Sequence, residues 1–108
     1  MTDGPPPAPS QAPPTIEEST EALGRLDALM ARGAAFLGTR WALLGGAMSW
    51  VSERNLVAAL SEAGAFGVIA CGAMEPDRLA AEIAATQSLT RRPFGVNLIT
   101  MHPRQEAQ

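Results

Sequence analysis

Two short clusters hold the residue types best suited to chemistry. Gly45-Gly46-Ala47-Met48-Ser49 follows an apolar run that begins at Trp41, and Asn97 closes the run that begins at Phe94. Glycine and alanine let backbone approach the face of a planar ring. Exposed amides in such a loop can bond a ring's polar edge, and the Met48 thioether offers a soft apolar contact. Asn97, ending a buried strand, can donate and accept hydrogen bonds at once, which suits a ring edge or a phosphate. Spacing alone keeps blander readings open: a strand-to-helix turn of small residues with Met48 in the core, and an asparagine that caps a turn.

The remaining reactive types point away from catalysis. Cys71 reads as a small buried apolar residue, since no charge partner lies near it in sequence. His102, the single histidine, sits beside Pro103 near the end of the chain, where no rigid frame positions a general base. Glu75 and Asp77 fit the favourable negative end of a helix start. One histidine and one cysteine cannot make a zinc site. No G-x-G-x-x-G occurs, and without lysine there is no Walker A loop.

The elements that must carry the two clusters follow from the apolar pattern. Residues 1–14 hold six of the nine prolines and almost nothing to bury, so they read as a disordered tail. Thr15 and Glu18 have capping-box spacing. Leu23, Leu26, Leu29, Met30 and Leu37 then recur at helical spacing up to a stop at Gly38. Gly24 and Gly33 weaken that helix by roughly 1 kcal/mol each. Residues 15–40 form a helical extension on this reading.

From Trp41 the pattern alternates. Strands are expected at Trp41–Leu44, Gly67–Cys71 and Phe94–Leu98, as apolar runs suited to burial on both faces. One helix is expected from Glu53 to Ala63, with Ser52 as N-cap, Gly64 as left-handed stop, and Leu56, Val57 and Leu60 inside. A second is expected from Pro76 to Gln87, with Leu79, Ala80 and Ile83 inside and Pro76 in the first turn. The strand candidates start 26 and 27 residues apart, a repeating β/α unit whose crossovers make neighbouring strands parallel. The carboxyl ends of such strands bear the ligand loops. Both clusters fall there, while Arg91, Arg92 and Pro93 fall at the other end.

Composition narrows the partners. The 108 residues carry 8 basic groups, all arginine, against 11 acidic ones, for a net charge of −3. Only Arg91 and Arg92 are adjacent, so neither a nucleic-acid stripe nor a polybasic membrane patch is expected. The N-terminus lacks a signal-peptide pattern, and no run approaches a membrane-spanning length. One cysteine fits a reducing compartment, and a cytoplasmic location is the expectation.

Three markers taken in order carry a family resemblance. Trp41-Ala-Leu-Leu-Gly-Gly-Ala-Met-Ser-Trp-Val-Ser52, the helix within Asn55–Ile69, and Arg92-Pro-Phe-Gly-Val-Asn97 resemble the start of nitronate monooxygenases, formerly 2-nitropropane dioxygenases. That family includes the flavin-type enoyl-acyl carrier protein reductases. The resemblance covers roughly Trp41 to Pro103. It implies an α/β fold, the β-α-β-α-β N-terminal fragment of a (β/α)8 TIM barrel, with residues 41–108 forming an incomplete flavin-binding domain. It implies flavin mononucleotide (FMN) as cofactor, with Gly46, Ala47, Met48, Ser49 and Asn97 against it. Its catalytic histidine belongs to a later unit, so none is assigned here.

The implied activity is oxidation of an alkyl nitronate to a carbonyl compound and nitrite, using FMN and oxygen. Reduction of an enoyl thioester is the enzymatic alternative. Enoyl reductases of this type often show Gly-Met-Ala-Trp where Ser49 here precedes Trp50, which leaves the subfamily open. The third reading is a catalytically inert truncated fragment or an interaction partner of another chain, with self-association through open sheet edges as a further expectation. Eight units need about 210 residues or more, whereas 68 follow Arg40.

Overall fold

The computed structural model describes Gly4 and residues 12–101. Most of the tail expected to be disordered, and His102, therefore lie outside the described residues. Six elements follow one another: α1 (Ile16–Leu37), β1 (Leu44–Gly45), α2 (Arg54–Glu62), β2 (Phe66–Ala70), α3 (Pro76–Leu89) and β3 (Gly95–Asn97). The strands form one sheet in the order β1-β2-β3, both pairings parallel. This is the expected alternation and strand direction.

Helix α1 begins as its sequence predicts. The Glu18 amide donates to Thr15 Oγ1 at 3.2 Å, and the Thr15 amide donates to Glu18 Oε2 at 2.8 Å. It ends at Gly38, whose φ of 69° is left-handed. Its apolar stripe does not make a core: no residue of α1 is buried, and Leu29 is 83% exposed. Gly33 has a role that propensity hides. A Cβ there would lie 2.6 Å from Ala42 Cβ, so glycine allows α1 to approach the segment leading into β1.

The β1 ladder is shorter and later than expected, at Leu44–Gly45 rather than Trp41–Leu44. Residues 41–43 approach it through single bonds, Trp41 N to Gly64 O at 2.9 Å and Phe66 N to Leu43 O at 2.8 Å. Arg40 lies over the Trp41 ring, 4.1 Å from its centroid. Glu53, not Ser52, caps α2, its carboxylate accepting from the Asn55 and Leu56 amides. Gly64 makes the expected left-handed stop, with φ 91°. Pro76 opens α3, which continues to Leu89, beyond the expected Gln87.

The core lies on one face of the sheet, where Val57, Ile69, Cys71, Met74 and Leu79 pack together with Ile83, Phe94 and Val96 against them. The expected helix faces need correction. Helix α2 buries Val57, Ala58 and Ser61, while Leu56 and Leu60 are half-buried. Helix α3 buries Leu79, Glu82 and Thr86, and Ala80 is exposed. A polar clamp shifts these faces. Glu82 is buried because Arg54 reaches it with its amide at 2.7 Å, Nε at 3.0 Å and a terminal nitrogen at 2.7 Å. Thr86 satisfies its own hydroxyl on Glu82 O.

Gly67 sets the distance between α2 and the sheet. A Cβ there would meet Val57 O at 2.6 Å and Val57 Cα at 2.9 Å, both backbone atoms that cannot swing aside.

Candidate functional site

Parallel pairing puts the carboxyl ends of all three strands at one end of the sheet, and the two sequence clusters meet there. The loop after β1 is organised by Ser52, which is 3% exposed. Its hydroxyl donates to Gly46 O and accepts from the Met48 amide, both at 2.9 Å. Its own amide donates to Met48 O at 2.8 Å, and its carbonyl accepts from the Ala70 amide at 3.0 Å, tying the loop to the end of β2. Sequence reasoning gave Ser52 the wrong task. A serine seven residues past a strand carries no signal for closing the loop behind itself.

The pinned loop turns its small residues outward. Gly46, Ala47, Met48, Ser49 and Trp50 are all exposed. A Cβ on Gly46 would find nothing within 4 Å. Met48 is 51% exposed, so it does not belong to the core. Its amide is committed to the Ser52 hydroxyl, which leaves the thioether as its group for a ligand. The amides of Ala47 and Ser49 make no hydrogen bond among the described residues. Trp50 has φ 68°, an unusual backbone for a bulky residue, and its side chain is largely exposed.

Asn97 ends β3 in register with Ala70. A Cβ on Gly95 would meet Phe66 Cε1 at 2.8 Å and Val68 Cγ2 at 3.6 Å, so these three share a sheet face. Two residues on, Asn97 returns to that face, opposite the core side held by Phe94 and Val96. Its carbonyl accepts a hydrogen bond from Cys71 Sγ, and Cys71 is fully buried, as its sequence context suggests. The Asn97 carboxamide makes no hydrogen bond among the described residues.

Electrostatics near this end are dominated by the clamp. Hydrogen bonds from Arg54 hold the Glu82 carboxyl below its ordinary range against the opposing effect of burial. The same pair raises Arg54. Among the described residues no group of acids, histidines or cysteines could hold a metal. A cavity of about 90 Å³ lies between the loops after β1 and β2. Wider concavities of about 700 and 600 Å³ lie around Thr90, Arg91 and Arg92, at the opposite end of the sheet.

A family model described as nitronate monooxygenase matches residues 30–108. The chain belongs to the nitronate monooxygenase family. A probable nitronate monooxygenase of Staphylococcus saprophyticus is 36% identical over 70 residues, covering 65% of this chain and 20% of that protein. A (3aS,4S,5R,7aS)-5-hydroxy-7a-methyl-1-oxo-octahydro-1H-indene-4-carboxyl-CoA dehydrogenase of Mycobacterium tuberculosis is 43% identical over 51 residues. That match covers 47% of this chain and 14% of the dehydrogenase. Among solved structures, FabK from Thermotoga maritima matches with a TM-score of 0.68 and 39% identity, covering 70% of this chain and 24% of FabK.

The chain thus spans a quarter or less of these relatives. Its β-α-β-α-β segment is a portion of a TIM barrel, the fold of FabK. In such barrels the carboxyl ends of the strands face the chemistry, which places loop 46–50 and Asn97 of this nitronate monooxygenase family member on the functional side. The concavities around Arg91 and Arg92 fall on the other side.

Proposed function

We propose that this chain supplies the first flavin-contacting loops of a nitronate monooxygenase-type oxidoreductase using FMN. One observation carries the reading: an open, glycine-led loop shares the carboxyl end of the sheet with an uncommitted asparagine carboxamide. The residues fit a flat heteroaromatic ring. Gly46 leaves the space above its backbone free, Ala47 adds only a methyl, and the Ala47 and Ser49 amides remain available as donors. Met48 contributes its thioether alone. Asn97 can bond a ring edge or a phosphate oxygen from the inner face of β3.

When bound, the flavin supplies the redox chemistry, oxidising an alkyl nitronate with oxygen to a carbonyl compound and nitrite. The residues described here bind and orient. Ser52 closes the loop on Gly46 and Met48 and ties it to Ala70 of β2, so its small residues stay at the ligand face without relying on the ligand for their shape. No described residue is placed to move the substrate's proton. Reduction of an enoyl thioester by a nicotinamide donor is the second reading, favoured by the likeness to FabK. We place the protein in the cytoplasm on its single cysteine, which fits a reducing compartment. No described helix is long and apolar enough to cross a membrane.

The test joins residues 1–108 to the later β/α units of the FabK barrel. The product should purify yellow and release nitrite from propyl-2-nitronate. NADH oxidation with a crotonyl thioester and no nitrite would select the second reading, and failure to retain FMN in a folded product would overturn both.

A further inference from the structure

The cavity between the loops after β1 and β2 has features that the flavin reading does not use. Its lining includes Ser49, Trp50, Ala70, Ala73 and Met74, with Arg78 from the first turn of α3. Most of that wall is apolar. Two charges of opposite sign line it, Glu53 and Arg78, but only the arginine makes no hydrogen bond among the described residues. The Glu53 carboxylate is occupied by the Asn55 and Leu56 amides and the Asn55 side chain. Arg78 makes no hydrogen bond or ion pair among the described residues, the nearby Glu82 being taken by Arg54. An available cation at the edge of an apolar hollow matches a ligand with a short hydrocarbon part and a negative end.

Size restricts the ligand further. A dry cavity of about 150 Å³ takes a benzene ring, so the 90 Å³ here admits roughly four carbon atoms. Trp50 is the wall most able to set this limit. Its left-handed backbone is a conformation bulky side chains rarely adopt, and such outliers concentrate where a ligand is clamped.

We propose that this cavity binds a small organic anion with a chain of about four carbons, Arg78 pairing its charge and Trp50 limiting its length. The inference uses the same end of the sheet as the flavin reading and shares one residue with it, Ser49. Its test therefore contains no flavin, and either idea can fail without the other.

Ligand-observed NMR titration of the 108-residue protein with butanoate, octanoate and 1-butanol decides it. Butanoate should bind at least about tenfold more tightly than the longer acid or the neutral alcohol, a difference of about 1.4 kcal/mol. Arg78→Gln should bring butanoate down to the level of butanol. Trp50→Gly should admit octanoate as well as butanoate, and glycine is the residue best suited to that backbone. Ala73→Leu, at an exposed loop position, should fill the hollow and abolish both. Far-UV circular dichroism checks each fold, and Ala73→Leu together with the unmodified protein decides the matter where another variant unfolds. Equal binding of all three compounds by the unmodified protein would overturn the proposal. So would an unchanged ligand profile in any folded variant.

Discussion

At the scale of single residues, the placement of Asn97 and of the loop from Gly46 to Ser49 at the carboxyl end of the sheet was legible because they join residue type to position. Small residues after a first strand and an amide ending a third both fall at the ligand end of any β/α repeat. Ser52 was not legible in its actual role, because its partners Gly46, Met48 and Ala70 meet it only after folding. In the joined barrel, Asn97→Ala should weaken FMN retention roughly 5- to 150-fold, from the loss of a hydrogen-bond partner worth about 1–3 kcal/mol. Ala47→Leu should weaken it too, by lifting the ring off the backbone. Equilibrium dialysis measures both, and unchanged affinity in both would refute these assignments. Trp50→Gly should raise the unfolding midpoint of the chain. It relieves a backbone costing on the order of 1–3 kcal/mol while adding back roughly 1 kcal/mol of chain entropy.

At the scale of elements, the alternation of helix and strand, the capping box and the two left-handed glycine stops were legible from local chemistry. Helix faces were not. Periodicity assigns apolar residues inward, yet Glu82 is inside because Arg54, 28 residues away, meets it with three donors. The folded-state pKa of Glu82 lies below its ordinary value, first through the Arg54 side-chain hydrogen bonds. The clamp therefore stabilises the fold fully above the ordinary carboxylate range and loses that contribution as pH falls through the depressed value. Glu82→Gln should lower the midpoint at neutral pH and flatten its fall in acid, as thermal melts across that range would record. Gly67→Ala should cost about 1–3 kcal/mol, since the added methyl overpacks a rigid backbone contact with Val57. A melt unchanged from the parent would mean α2 rides further from the sheet than described.

At the scale of the whole molecule, the sheet has a covered face and an open one. Parallel sheets are ordinarily covered on both, yet Leu44 is 63% exposed and Phe66 and Val68 are only half-buried. By itself the 108-residue protein should bind a hydrophobic dye and gain mass with concentration in sedimentation runs. Both signals should fall once the later barrel units are joined; persistence of either would mean that the inner face is not what those units cover. The thiol at the junction of β2 and β3 gives this openness a clock. Cys71 is the single cysteine, has no exposed surface, and donates to the carbonyl of the residue proposed to hold the flavin. Its alkylation must wait for the two strands to part. The labelling rate in excess reagent thus counts openings of that rung, and any ligand gripping Asn97 should slow the count without touching the sulfur.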